Sequence, residues 1–389
     1  MRIRIFTAAA ATLAAATCLP ILGGIAANAA DAAEPAPAYA APGAPMRVFP
    51  VEAPGTYTMR GGQEIKVPAN FWAVTCSQGP VGTVRTGDGT TQKVMLTASH
   101  CVNARAGMPG TSDEVVVPVP TDAGYVRIGR VINSNHVPEA ALNLSDLPLS
   151  ARTADWAVVL LDDSVATSNL AHSRDFSGDV QGEPVAITSI RDYRTLAPGE
   201  VSVDNFGQPI CKDGAATGRT CGTQLARTRN GVYSWGLDYR QGDSGGINYD
   251  PRDGAAIGVT TLVFHSFGKA QPADRIIEDA YGVPDGQVND YFTPAESAPR
   301  GDFAPAGMEA SYIARKIKDD NPDVAPVDPK AELGKEVSSA RQDAAAVAGD
   351  ALRGNADPAR AQELASQHAE SIGFWASEAL RQDLAVLPR

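Results

Sequence analysis

Hydrophobic positions along the 389-residue chain change their spacing near Val283. From about Met46 to Val283 they fall in short runs rich in β-branched and apolar residues, among them Val94–Thr97, Ala157–Leu161, Pro184–Ile190 and Ala255–Phe264. Gly87-Asp88-Gly89 and Pro251-Arg252-Asp253-Gly254 stand between runs with the chemistry of tight turns. Short strands at this spacing predict an antiparallel barrel or sandwich. Beyond Val283 the pattern loosens. Residues 284–330 are Pro-rich and read as a linker, and residues 331–389 read as an Ala/Glu/Gln-rich helical extension. One helix is expected from about Pro329 to Leu352, stopping near Gly354. In a second, Asp357 caps, Pro358 starts, and Leu364, His368, Ile372, Trp375, Ala379 and Leu384 recur at three- or four-residue steps. The expectation is an amphipathic hairpin that docks on the rest of the chain or on another partner. The sharper alternative is a regulatory or cell-envelope attachment module.

The first 29 residues run from Arg2 and Arg4 through an Ala/Leu/Ile-rich stretch to Ala27-Asn28-Ala29, the order of a secretory signal peptide. Pro20 and Gly23-Gly24 interrupt that stretch and argue against a membrane anchor, and no other segment is apolar enough to span a bilayer. The chain is therefore expected to be secreted or held in the cell envelope, with no membrane span once mature. Residues 30–45 are Ala/Pro-rich without periodicity, the composition of a linker or propeptide.

With 43% hydrophobic and 20% charged residues the chain can bury a core, and its 37 Gly and 28 Pro predict abundant loops. Its net charge is −12, and no Lys/Arg cluster offers the footprint that a phosphate backbone requires, which argues against nucleic acid as a partner. Without Cys18, which falls in the signal segment, Cys76, Cys101, Cys211 and Cys221 remain, an even count suited to disulfides in an exported chain. They allow three pairings. The local pair Cys211–Cys221 is favoured because it brackets a Gly-rich turn, and the absence of CxxC or paired His argues against zinc.

Three short motifs carry candidate chemistry in the order His, Asp, Ser: Thr97-Ala98-Ser99-His100-Cys101, Asp155-Trp156-Ala157-Val158 and Gly242-Asp243-Ser244-Gly245-Gly246. A serine hydroxyl becomes a good nucleophile when an imidazole takes its proton, and the imidazole needs a carboxylate on its other nitrogen to fix its tautomer. The motifs supply one residue for each role. Glycines around Ser244 let the backbone turn sharply, so that the amides of Gly242 and Ser244 can point at a developing oxyanion. Asp162 and Asp163 compete with Asp155, but they follow the apolar run Ala157–Leu161, where acidic residues end an exposed strand.

TASHC, DWAV and GDSGG together resemble the three catalytic signatures of the chymotrypsin-like (trypsin-like) serine proteases. The stretch from Ile210 to Gly222 resembles the disulfide hairpin of their bacterial, streptogrisin-like branch, and Asp274 to Val283 resembles that branch's closing helix. The resemblance covers roughly Phe71 to Val283, within a domain placed at residues 46–283. It implies an all-β fold of two antiparallel six-stranded β-barrels with the active site between them, to which the α-helical extension is added. It implies serine endopeptidase activity on polypeptide substrates with neither metal nor organic cofactor. His100 becomes the general base, Asp155 its orienter and Ser244 the nucleophile, and the disulfides become Cys76–Cys101 and Cys211–Cys221. Asp243 is ion-paired in the family, with a partner that cannot be read from this sequence.

The resemblance also places three substrate-binding residues. Asp238 stands where trypsin-like members carry a pocket-floor carboxylate for Lys or Arg, although Arg240 is near enough in sequence to neutralise it. Thr261 and Val263 lie on the strand that hydrogen-bonds substrate, and Val263 falls where wide-pocket members have glycine. The β-branched side chain favours small apolar residues before the scissile bond. Two other functions compete: a catalytically silent, protease-like binding module, and an envelope structural protein acting through its C-terminal helices.

Overall fold

The computed structural model describes residues 36–59, 63–105, 107–121, 124–142, 147–264, 266–324, 328–355 and 357–385. Residues 1–29, where a signal segment is expected, lie outside the described residues. Two antiparallel sheets dominate. The first runs in the order Phe292–Pro294, Val81–Arg85, Thr91–Thr97, Ala157–Leu161, Tyr125–Ser134, Glu114–Pro118, Pro45–Val48, Val74–Ser77. The second closes on itself. Ala255–Phe264, Ile247–Tyr249, Pro209–Gly214, Gly218–Thr228, Gly231–Trp235 and Phe267–Pro272 pair in turn, and the last returns to the first through pairings from Gly258↔Pro272 to Phe264↔Phe267.

The expectation of two six-stranded barrels is thus corrected to one closed six-stranded barrel and one eight-stranded sheet with no closing pairing among the described residues. The reason is local. The free edge of Val81–Arg85 is taken by Phe292–Pro294, with Phe292 opposite Val84, and the Ser77 amide donates across to the Ser244 carbonyl at 2.8 Å.

A core of Val94, Leu96 and Val158 from the first sheet with Ile247, Val259 and Ile276 from the barrel side joins the two sheets. The closing helix Ala273–Tyr281 belongs to this core through Ile276 and Ile277, and ends on Gly282 in the left-handed region (φ 69°). A second core lies within the first sheet around Met46, Met95, Ile128 and Val159.

Two segments that composition marks as linkers are packed parts of this body. Ala38, Ala40, Ala41 and Ala44 are buried, and Gln78 holds the stretch by accepting from the Ala41 amide while donating to Tyr39 and Pro45 carbonyls. Small side chains are what a strand passing close to others requires, so alanine here is a packing residue. In the stretch after Val283, Phe292 and Phe303 enter the two cores. The helix Ala306–Asp320 then brings buried Glu309 to buried Arg47, whose Nε donates to Glu309 Oε2 at 3.0 Å, and Asn321 clasps the Lys66 backbone through both its side-chain atoms.

The helices Pro329–Leu352 and Pro358–Ala385 follow. Asp328 caps the first by accepting from the Lys330 amide, and Asp357 accepts from the Arg360 amide at the start of the second. No apolar side chain is buried among those described from 329 to 375. The pair is clasped by His368, whose Nδ1 lies 2.7 Å from Glu336 Oε1 and whose Nε2 lies 2.8 Å from Asp343 Oδ2. Among the described residues no helix is long and apolar enough to cross a membrane.

Candidate active site

The strand Thr91–Thr97 runs antiparallel to Ala157–Leu161 with Thr97 opposite Ala157. The register carries the residues just beyond Thr97 and just before Ala157 to the same end of the sheet. There the short turn Ser99–Cys101 presents His100 to Asp155. Asp155 Oδ2 lies 2.6 Å from His100 Nδ1, and Oδ1 accepts from the His100 amide at 3.1 Å. Both residues are almost fully buried. Burial alone would raise the Asp155 carboxyl, but the charge and hydrogen bonds of His100, with Lys269 beyond, hold it below its ordinary value of 3.8. The pairing leaves His100 Nε2 as the nitrogen available for chemistry.

Supporting residues surround the pair. The Asp155 amide donates to Gln271 Oε1 at 3.0 Å, and Ser99 Oγ donates to the Asn135 carbonyl. Buried Lys269 donates to the Ser150 and Thr153 carbonyls at 2.6 and 2.8 Å, and burial pushes its ammonium down to about 8. A cavity of about 370 Å³ opens beside His100, lined by Ser99, Asn103, Arg105 and His136.

Ser244 comes from the barrel. Gly242 and Gly245 flank it with φ of 102° and 76°, a backbone that side chains with a Cβ rarely adopt. A Cβ on Gly245 would stand 2.2 Å from Thr97 Oγ1, 2.6 Å from the Ser77 carbonyl oxygen and 3.3 Å from Cys101 Sγ. This close approach brings the residue after Ser244 against the neighbours of His100. Cys76 and Cys101 are disulfide-bonded there, and Cys211 and Cys221, opposite each other on adjacent strands, form the second bridge. The sulfurs near His100 are thus unavailable to a metal.

The amides of Gly242 and Ser244 find no acceptor among the described residues, whereas those of Asp243, Gly245 and Gly246 donate to Arg240, Thr260 and Asp243 carbonyls. Ser77 Oγ fixes the turn by donating to the Gly242 carbonyl at 2.7 Å. Ser244 Oγ makes no hydrogen bond among the described residues, whereas His100 is bonded to Asp155 through both its ring and its amide.

The partner of Asp243, illegible in the sequence, is Lys212. Nζ lies 3.1 Å from Asp243 Oδ2, and both side chains are wholly buried. The amides of Ala216, Thr217 and Arg240 also donate to the carboxylate. Burial lowers the Lys212 ammonium, and Asp243 opposes that shift. Lys212 sits beside Cys211 in a strand buried almost throughout, so the signal was a lone cation among core residues.

The proposed specificity residues separate. Asp238 is exposed, with its carboxylate 3.5 Å from the more exposed Arg240, and so does not stand as a buried floor. Tyr239 turns inward instead. Its hydroxyl bonds Ser234 Oγ and Asn248 Oδ1, both at 3.1 Å, and its ring lies so close to Gly268 that a Cβ there would come within 2.2 Å of Cε2. Thr261 is buried and donates through Oγ1 to the Lys269 carbonyl. The Val263 backbone pairs with Gly268, and its side chain lies outside what is described.

No protein-family model and no curated protein matches the chain. Solved structures similar to it include serine proteases. A chymotrypsin from Cellulomonas bogoriensis is 19% identical over 62% of this chain and 94% of that one, with a TM-score of 0.33. A glutamic acid specific serine protease, described as using a histidine triad in substrate binding, is 18% identical over 62% and 97%, also at 0.33. The VesB protease of Vibrio cholerae is 13% identical over 61% and 62%, at 0.29. The likeness is at most one of fold.

Proposed function

We propose that the chain is an exported serine endopeptidase with His100, Asp155 and Ser244 as its triad. The observation that carries this reading is the buried His100–Asp155 pair set against a glycine-flanked serine whose neighbouring amides are free. His100 Nε2 takes the proton as Ser244 Oγ attacks the scissile carbonyl, and Asp155 stabilises the imidazolium that forms. The amides of Gly242 and Ser244 receive the oxyanion. The imidazolium then gives its proton to the leaving amine, and water, activated by His100, hydrolyses the acyl-enzyme. The hydrogen bond from Ser244 Oγ to His100 Nε2 forms as substrate binds, since catalytic hydrogen bonds often tighten only in the complex.

Tyr239 favours a small residue before the scissile bond, because its ring fills the space beside Gly268 and the strand that carries Thr261 and Val263. Export rests on the N-terminal signal pattern and two disulfides. The exposed helical hairpin is the segment available for a docking partner.

The test is reaction of the mature chain with a fluorophosphonate. The expected adduct sits on Ser244, disappears in Ser244→Ala, and is matched by cleavage of a peptide library after small residues. Absence of labelling in folded chain would favour the silent binding module.

A further inference from the structure

Outside the candidate active site, the acidic groups that converge most closely are Asp192, Glu278 and Asp285. Asp192 follows Ser189–Ile190, a short strand that pairs parallel with Ala255 and Ala256 of the second sheet, Glu278 lies on the closing helix, and Asp285 in the turn that follows it. One carboxylate oxygen from each lies within 4.8 Å of the other two. Oxygens on opposite sides of one calcium ion, each bound at 2.3–2.6 Å, are about 5 Å apart, so a single ion can reach all three.

The protein's own donors fall on one oxygen of each carboxylate. The Val288 amide donates to Asp192 Oδ2 at 2.9 Å, and the Thr195 amide and hydroxyl both donate to Asp285 Oδ1 at 3.0 Å. Thr195 Oγ1 and Arg275 both contact Glu278 Oε2. Asp192 Oδ1 and Glu278 Oε1 remain buried with no partner, and the Glu278 side chain is only 3% exposed. Unpaired buried carboxylate oxygens are costly, and three like charges at this spacing add to the cost. Arg275 is shared between Glu278 and Asp279, and buried Asp274 places a fourth carboxylate beside the group, its own oxygens already held by the Tyr193 and Arg275 amides.

We infer that Asp192, Glu278 and Asp285 form a calcium site that pins the loop after Ser189–Ile190 to the end of the closing helix. The donors are all oxygen, the preference of a hard cation. Exposed Asp285 opens the site to water, which completes the flexible six- to eight-fold shell of calcium more readily than the strict octahedron of magnesium.

The test uses the full chain freed of metal with EDTA. Calcium is expected to raise the unfolding temperature in a saturable way, magnesium at equal concentration is expected to do much less, and terbium is expected to show emission excited through tyrosine. Asp192→Asn and Asp285→Asn should each abolish both responses, while in EDTA they unfold at the same or a higher temperature than the natural chain because a like charge is gone. Either of two results would overturn the site: no calcium response in the natural chain, or terbium emission that survives both substitutions. Variants that lose the response only because they are less stable than the natural chain in EDTA would assign the carboxylates to packing and reject it as well.

Discussion

The two halves of the candidate site are built by different means. On the first sheet, His100 and Asp155 meet through direct side-chain contact, fixed by the register of two neighbouring strands. On the barrel, Ser244 is placed by backbone: two left-handed glycines, a carbonyl bonded to Ser77, and the buried Lys212–Asp243 pair beneath the turn. The closed barrel supplies its own rigidity. The open sheet relies on the chain after Val283, which covers its edge with Phe292–Pro294, fills its core with Phe303 and neutralises Arg47 with Glu309. The His100–Asp155 half therefore depends on distant chain, and the Ser244 half on local geometry.

The largest expected effect tests that dependence. A chain ending at Pro284 loses two core aromatics and leaves buried Arg47 without its carboxylate, each costing about 3–5 kcal/mol. It should fail to fold its first sheet, whereas a chain ending at Val324 should remain folded and active. Near-equal thermal stability and peptide hydrolysis for the two truncations would show that the stretch after Val283 is a linker and erase the contrast.

Next in size is Asp155→Asn, which should retain the fold and lower kcat by about 10⁴-fold, the scale of a wrong imidazole tautomer. The folded-state value of Asp155 is lowered, so its contribution to stability is complete above its ordinary value of 3.8 and is lost as pH falls through the lower folded value. Acid unfolding curves of the Asn variant should lack that component. A loss of only tenfold in turnover would mean that Asp155 does not orient His100.

On the barrel side, Lys212→Met leaves Asp243 buried and unneutralised, a loss of about 3–5 kcal/mol in denaturant unfolding. The double change with Asp243→Asn should recover much of it, because the stranded charge is then gone. If both variants keep full activity, the Ser244 turn does not need the ion pair, and the Ser244 half is set by its glycines alone.

The sequence carried these halves unequally. TASHC, DWAV and GDSGG single out His100, Asp155 and Ser244 as candidates because each proposed role demands a particular side chain beside a particular backbone, and the strands Ala157–Leu161 and Ala255–Phe264 and both helices of the hairpin coincide with their hydrophobic patterning. Partners were illegible wherever they depend on which strand folds against which. Lys212 stands out only as a cation beside core residues, and nothing local names Asp243 as its partner or links Gln271 to Asp155 across 116 positions. The alanines at 38–44 and the prolines after 284 misled for a related reason. Composition reports what a free segment would do, while burial of small side chains against Gln78 and of Phe292 and Phe303 against the first sheet depends on tertiary contacts. Asp238 misled by position: counting back from Ser244 finds the right turn, but the turn aims Tyr239 inward and Asp238 out.

The smallest effect belongs to Lys269, where the two halves touch electrostatically. This barrel residue is buried, donates to the Ser150 and Thr153 carbonyls ahead of Asp155, and helps to hold the Asp155 carboxyl low. Lys269→Met removes that positive charge, so Asp155 should rise and the acidic limb of the kcat/KM profile should move to higher pH by a few tenths of a unit. A merely structural lysine would reduce activity at every pH without moving the limb. Stability supplies an independent reading. Burial pushes Lys269 down to about 8 from 10.5, so between these values the unfolded chain holds a proton that the folded chain has released. Stability therefore gains with rising pH across that window, and the gain should be absent in the Met variant. A shifted limb together with a flattened alkaline stability curve would show the barrel tuning the His100–Asp155 pair across the cleft. An unmoved limb would leave the two halves electrostatically independent.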